Sequence, residues 1–528
     1  MPEIKNNNIL GRIKRKNIFM ILINPCPKNS LGIVQIFLPV WVPVGIGCLL
    51  AVTERDGIEA HFIDEQIEED TLKAVANYVK KMQKPYIFGF SVLTQAVKRS
   101  VELSAKLKEL YPDSIIIFGG IHPTAAPEDI LCHNHIDVVF RGEADKFITD
   151  FYRRVKEGKD FRDMNSISYK KAVEIIHNKR DPIVTDINTL PPFPYHKFTS
   201  KRYDMAFVVS SRGCPYQCIF CSNRVTTDKK YRFRSAQNVV QELELLHNKY
   251  NLKYVIFLDD NFCVNKDRVY SLIEAIKQKD LHKKMAFSFQ SRGDNVDSKL
   301  LKDLFDAGFK SIFFGLETSS ERIMKIIKKG ETLAQCVDAV KMAKQIGYYI
   351  SATFIYGLPL ETHRDRLNCV RLTRDLDLDM VRYNNATPYP GTELYEIAKS
   401  QHRLNVQGMY ENFCSASTFI ENPFKKIPFS YVPEGNTEEQ IRMDILFSYF
   451  SLFLNIKKLK RVFVKPDQGA GFFYAGDSIT AFLLKRLPAL AFLGFMLMVK
   501  FFSLFYYMVI KKQTRTSFSE FCKVFGRV

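Results

Sequence analysis

Three cysteines stand at C-x3-C-x2-C spacing in the run Arg212-Gly213-Cys214-Pro215-Tyr216-Gln217-Cys218-Ile219-Phe220-Cys221. The run follows the apolar stretch from Ala206 to Ser210, which reads as a strand. A strand ending in a compact loop can gather three thiols around one soft metal centre. Thiolates select iron–sulfur clusters, zinc or Cu(I). A closed structural zinc site takes four ligands, usually as two paired sets. This loop offers three, with no fourth Cys or His inside it. A [4Fe–4S] cluster on three cysteines leaves one iron open to an outside ligand. Gly213, Pro215 and Phe220 give the loop a tight frame, which argues against three unrelated buried cysteines.

The elements that must position this loop are repeated strand–helix units. After the loop, short apolar strands end one after another in polar clusters: Tyr254 to Leu258 in Asp259-Asp260, Ala286 to Phe289 in Gln290-Ser291-Arg292, and Ser311 to Gly315 in Leu316-Glu317. Ser351 to Ile355 ends in Tyr356-Gly357, and Met380 to Tyr383 runs toward the turn Thr387-Pro-Tyr-Pro-Gly391. With the strand before the loop this makes six units, short of the closed eight-unit barrel. An open six-unit parallel barrel is expected, with its chemistry at the C-terminal strand ends. Residues 166–200 carry Leu190-Pro-Pro-Phe-Pro-Tyr195, which cannot continue a helix or a central strand and reads as a surface linker. Before it, strands near 18–23, 59–63, 86–90, 114–118 and 138–140 alternate with helices, the pattern of a doubly wound parallel sheet. Ser91, Leu93, Gly119 and Gly120 fall at strand ends, where such sheets bind ligands. His122 follows there and invites a catalytic role, although an isolated loop histidine is more often a hydrogen-bonding residue.

The cysteine spacing, with an aromatic before the last thiol, resembles the signature of radical S-adenosylmethionine (radical SAM) enzymes. The resemblance runs from about residue 18 to 400. It implies that Cys214, Cys218 and Cys221 hold a [4Fe–4S] cluster whose open iron binds S-adenosylmethionine, and that Phe220 packs near the adenine. In that family, one electron from the cluster cleaves the cofactor to a 5′-deoxyadenosyl radical. By the same likeness, Asp259 and Asp260 meet the amino group, Arg292 and Glu317 the carboxylate and ribose, and Ile355 and Gly357 flank the adenine. The first sheet is similar to the cobalamin-binding domain that precedes the barrel in one class of these enzymes. There Ser91, Leu93, Gly119 and Gly120 would line the pocket for the nucleotide tail. A departure is the missing D-x-H-x-x-G motif: from Asn24 to Gly32 no histidine is present, so cobalt would have none beneath it.

The expected fold class is α/β. An arm over 1–17 precedes a Rossmann-like domain over 18–165 and the linker over 166–200. A partial (β/α)6 radical SAM barrel follows over 201–400, then a mainly helical region over 401–528. At 528 residues several domains are expected, and 46% hydrophobic with 25% charged residues excludes general disorder. The net charge of +19 favours anionic partners. Eleven scattered cysteines and no opening secretory signal point to a reducing cytoplasm. Cys263, Cys336, Cys369, Cys414 and Cys522 lack paired spacing, so no second cluster is expected. The apolar runs 446–454 and 487–510, flanked by basic residues, suggest an amphipathic segment on the anionic inner leaflet; the alternative is buried helices. Lys500 weakens any simple span.

The function expected from the resemblance is hydrogen abstraction from an unactivated carbon, then cobalamin-dependent methyl transfer to a lipophilic small molecule. A flavodoxin or ferredoxin would serve as reductant. The alternatives are an oxidative cyclase like the anaerobic tetrapyrrole cyclases, and a non-catalytic iron–sulfur electron carrier. No nucleic-acid partner is expected, since no RNA-binding module is recognisable.

Overall fold

The computed structural model describes residues 18–26, 40–80, 83–421 and 426–453, with parts of 491–510. The expected arm, loop residues 27–32, parts of 487–510 and Cys522 lie outside the described residues.

The first sheet contains β1 (Ile18–Asn24), β2 (Ala60–Asp64), β3 (Gln83–Ser91), β4 (Ile115–Gly119), β5 (Val138–Phe140), β6 (Ile167–Lys171) and β7 (Glu174–His177), ordered β2-β1-β3-β4-β5-β6-β7. The first five are parallel, and β6 and β7 add antiparallel at the edge. Side chains alternate between the faces of a strand. Met20, Leu22, Ile87, Ile117 and Val138 enter one core, while Ile21, Ile23, Phe88, Phe118 and Val139 enter another. A sheet with both faces buried requires such continuous apolar runs. Helices α1 (Val44–Arg55), α2 (Thr71–Val79), α3 (Val97–Leu110), α4 (Ile121–Ala125) and α5 (Ile148–Glu157) connect these strands.

Two expectations about the linker are corrected here. Residues 167–177 belong to the first sheet, so the first domain runs past 165. The Pro-rich stretch also does not run across the surface. Tyr195 and Phe198 are buried, and the Tyr195 hydroxyl lies between two acceptors, the Phe207 carbonyl (2.7 Å) and Glu242 (2.6 Å). Phe193 lies where a Cβ on Gly47 would stand, 2.1 Å from its Cε2. Three prolines stop regular structure, but the aromatics between them plug the two domains together in a shared core.

The second sheet is all parallel and sequential: β8 (Phe207–Val208), β11 (Tyr254–Phe257), β12 (Ala286–Ser291), β13 (Phe309–Glu317), β14 (Tyr349–Tyr356) and β15 (Met380–Asn385). Between β8 and β11 lies a two-stranded ladder of β9 (Ser211–Arg212) and β10 (Arg232–Phe233). The covering helices include α6 (Asn223–Thr227), α7 (Ala236–Tyr250), α8 (Lys266–Gln278), α9 (Ser298–Asp306), α10 (Leu333–Ile346) and α11 (His363–Asp375). Ser235 caps α7 as its position suggests, accepting from the Asn238 N–H, and Thr332 with Gln335 forms a capping box on α10. Six strands in sequential order are the expected open barrel topology.

Helices α12 (Glu393–Ser400) and α13 (Glu438–Phe453) follow. The described part of the apolar run beginning at 446 is packed inside α13: Leu446, Phe447 and Phe450 are buried. The Tyr449 hydroxyl accepts from the β15 Tyr383 N–H (3.0 Å), and Arg366 grips Asp444 (2.6 Å). Lys500 is likewise buried and donates to the Thr418 carbonyl, with burial lowering its pKa to about 8. Among the described residues no helix is long and apolar enough to cross a membrane.

Candidate active site

The cysteine loop leaves the β9–β10 ladder at the C-terminal ends of the second sheet. Gly213 takes φ +86°, a left-handed conformation that suits glycine. A Cβ there would meet the Lys230 carbonyl oxygen at 2.1 Å. Gly57 is also left-handed, at φ +67°, but has nothing within 4 Å of its Cβ position. Gly57→Ala is therefore expected to cost about 1–2 kcal/mol from backbone strain alone. Gly213→Ala is expected to cost about 2–4 kcal/mol, because backbone must also move. Thermal unfolding of the two apoproteins compares them, and equal losses would refute the tight-loop argument.

Further contacts brace the loop. The Gly213 N–H donates to Asp260 (2.9 Å), the Ile219 N–H to the Ile327 carbonyl (3.0 Å), and the Leu394 N–H to the Ile219 carbonyl (2.9 Å). Phe220 packs with Ile219, Ile323, Leu358 and Ile355 in a small apolar cluster. The Cys214, Cys218 and Cys221 thiols are half-buried. Burial pushes all three pKa values up, that of Cys221 to about 11, while Lys329 and Arg292 pull against burial at Cys218. Among the described residues no three His, Cys, Asp or Glu groups could hold a single metal ion. A cluster asks for a different arrangement, because each thiolate ligates its own iron. The donor set therefore fits a cluster held by Cys214, Cys218 and Cys221, with nearby cations to offset thiolate charge.

The polar strand ends divide into two groups. Asp259 is fully buried and accepts from the Ser210 N–H (2.7 Å), the Ser210 and Ser211 hydroxyls (2.6 and 2.7 Å), and Arg268 (3.1 Å). Its carboxylate is spent holding the strand that launches the loop, which corrects its expected place beside an ammonium. Asp260 braces Gly213, and burial raises its pKa against that bond and one from Asn223. Arg292 is also largely engaged: it forks onto Asp294 (2.8 and 2.7 Å), donates to the Lys329 carbonyl, and stacks 3.5 Å over the Tyr216 ring. All three guanidinium nitrogens thus already have partners, which weighs against its expected place at a carboxylate.

Glu317 stands at φ +63°, is buried, and has a carboxylate oxygen, Oε2, without a hydrogen-bond partner. Its Oε1 faces Lys329 at 3.4 Å, and Lys329 also lies 3.4 Å from Glu331. An orphaned buried acceptor at a strand end fits a ribose or ammonium donor of S-adenosylmethionine. Ile355 packs against the Phe220 cluster, whereas Gly357, at φ +84°, donates its N–H to Glu361 (2.5 Å) and faces Ile441. Sequence reasoning missed Lys329, Glu331, Tyr216 and Arg268. Nothing in the run Lys328-Lys329-Gly330-Glu331 marks a buried cation, and only the fold shows Lys329 enclosed.

In the first sheet, Ser91 and Gly119 are register partners at the ends of β3 and β4, both half-buried, and Leu93 is 53% exposed beside them. An exposed leucine next to a side-chain-free edge fits a flat cobalamin ring or tail. Gly120, at φ +103°, serves a different need from the expected ligand approach. A Cβ there would meet the Val92 N and O atoms at 2.9 Å. His122 is fully buried under Tyr410, with Asp129 3.8 Å from Nε2 and neither ring nitrogen hydrogen-bonded. Burial lowers its pKa from 6.5 to about 4. The unfolded chain thus binds the extra proton between those values, and stability falls as pH drops through 6.5. The expected loss is roughly 2 kcal/mol between pH 7 and pH 5. His122→Phe should flatten that part of the apoprotein's stability–pH curve.

Comparison with known proteins matches this layout domain by domain. The Radical SAM superfamily profile matches residues 208–373, and the B12 binding domain profile matches residues 32–151. An uncharacterized methyltransferase of Pyrococcus horikoshii is 30% identical over 426 residues, covering 79% of this chain and 89% of that protein. An anaerobic magnesium-protoporphyrin IX monomethyl ester cyclase of Cereibacter sphaeroides is 24% identical, covering 82% and 69%. Among solved structures, the cobalamin-dependent S-adenosylmethionine radical enzyme OxsB superposes with a TM-score of 0.66 at 16% identity, covering 93% of this chain and 73% of that one. The radical S-adenosylmethionine methyltransferase TsrM of Kitasatospora setae superposes with 0.62 at 17% identity, covering 73% and 78%. A three-thiol loop at the mouth of an open parallel barrel, preceded by a doubly wound sheet, places this chain in the radical SAM superfamily, among the members that carry a B12-binding domain.

Proposed function

We propose that the protein is a cobalamin-dependent radical SAM methyltransferase acting on a lipophilic small molecule. One observation carries the reading: largely buried ion pairs tie Arg212 and Arg232, on either side of the cysteine loop, to Asp145 and Glu143, shortly after β5 of the B12-binding sheet. When bound, the cluster supplies the electron that cleaves S-adenosylmethionine to a 5′-deoxyadenosyl radical, and cobalamin supplies the methyl group. The chain's own residues hold and orient. Cys214, Cys218 and Cys221 are the cluster ligands, and Glu317, Arg292 and Asp260 with Phe220, Ile355 and Gly357 surround the nucleoside. Ser91, Leu93 and Gly119 border the cobalamin edge. The methyltransferase name of the Pyrococcus horikoshii relative supports this reading.

The test uses anaerobically reconstituted protein with S-adenosylmethionine and a reductant such as reduced flavodoxin. Bound cobalamin, 5′-deoxyadenosine and a product heavier by one methyl group are the expected results. Formation of 5′-deoxyadenosine with a product that gains a ring or oxygen would favour a cyclase, the activity named for the Cereibacter sphaeroides relative. A well-formed cluster that never yields 5′-deoxyadenosine with any substrate would favour an electron carrier.

The lipophilic substrate and an anionic membrane surface belong to the same proposal. Exposed Phe495, Met498 and Phe502 and the charge of +19 support them. Flotation with phosphatidylglycerol vesicles at low salt, lost with phosphatidylcholine, is the expected result.

A further inference from the structure

In the β9–β10 ladder Arg212 and Arg232 are direct register partners. Like charges facing each other across a ladder are unfavourable unless each has its own counter-charge. Here both guanidiniums reach into the B12-binding domain. Arg232 forks onto Glu143, Nη1 to Oε2 at 2.7 Å and Nη2 to Oε1 at 2.8 Å, and Nη1 also donates to the Val184 carbonyl (3.0 Å). Arg212 forks onto Asp145, Nη1 to Oδ2 at 3.0 Å and Nη2 to Oδ1 at 3.3 Å, and lies 3.8 Å from Glu143. The Cys48 thiol of α1 touches the same guanidinium. The side chains of Arg232 and Glu143 are 4% and 12% exposed, and those of Arg212 and Asp145 are 20% and 6% exposed. Glu143 and Asp145 lie three and five residues past the end of β5, and Arg212 stands two residues before Cys214.

We propose that Arg212–Asp145 and Arg232–Glu143 form a positioning clamp that fixes the cysteine loop in register with the cobalamin edge of the first sheet. A buried ion pair adds little net stability over apolar side chains of similar size. Its planar, bidentate forks instead impose a direction and a distance. Two forks from one register pair, one on each strand, restrain both sliding and rotation of the loop. A reaction in which two cofactors address one substrate carbon needs that registration, and this part of the inference rests on the methyltransferase reading.

The test variant is Glu143→Met/Arg232→Met, which exchanges one fork for apolar side chains. The apoprotein is expected to unfold thermally much as the parent does. Amide exchange at residues 211–213 and 232–234 should rise by roughly tenfold through local opening, while β11 to β14 stay protected. In reconstituted enzyme, 5′-deoxyadenosine formed per methylated product should rise severalfold. A merely structural role would lower both products together and leave their ratio unmoved. Unchanged exchange and an unchanged ratio in a folded variant would overturn the proposal. Should the double variant not fold, Arg212→Lys carries the test, because it keeps the charge and removes the fork. A parent protein that makes no methylated product would defeat the methyltransferase reading, while the exchange measurement would still decide the clamp.

Discussion

Cys218→Ala is expected to reduce 5′-deoxyadenosine formation to background, whereas Cys132→Ala should leave it unchanged. Both are free cysteines, and Cys132 is the more exposed. The difference is position. Cys218 lies in the braced loop, where Lys329 and Arg292 favour its thiolate against burial. Losing a mere outer partner of a metal ligand costs about 10–100-fold in affinity or activity. Losing one of three ligands should exceed the upper end of that range, so at least roughly 100-fold is expected. Iron content and the charge-transfer absorbance of the reconstituted protein should fall with activity. A Cys218→Ala protein that still cleaves S-adenosylmethionine would remove the loop from the active site and leave the superfamily signature without a function here.

The sequence made some parts of this molecule legible and hid others for physical reasons. Parallel strands buried on both faces must be continuous apolar runs, so β1, β3, β4 and β13 stand out, and their alternation into two cores follows. The three thiols are legible because their spacing is local. Asp259 was misjudged because adjacent carboxylates at a strand end look available. Its partners are Arg268, one helix later, and Ser210 and Ser211, one unit earlier, and only the fold joins them. The linker was misjudged because prolines report the backbone, while Phe193, Tyr195 and Phe198 decide burial. β6 and β7 escaped notice because their exposed antiparallel edge, with Lys170, Lys171 and Glu174, carries too little apolar pattern.

Lys329 is the hidden residue with the largest expected effect on stability. Its ammonium is enclosed, with Glu317 and Glu331 each 3.4 Å away. Burial disfavours its charge, but the two carboxylates hold its pKa above the ordinary value. Lys329→Met preserves most of the side-chain volume and removes only the charge. Two buried carboxylates then lose their cation, and breaking a buried pair in this way costs about 3–5 kcal/mol. The pH dependence separates this from a packing defect. Burial already raises the Glu317 pKa, and Lys329 opposes that rise. Without Lys329 the folded-state pKa climbs further above the unfolded value. The folded protein then binds the extra proton, so the variant is most stable below the unfolded pKa and loses stability as pH rises through the folded one. Urea unfolding of the apoprotein should therefore show a larger deficit at pH 8 than at pH 5. A deficit independent of pH would mean that Lys329 acts through packing alone. Glu317 would then need another source of the charge balance that keeps its free oxygen an acceptor beside the cysteine loop.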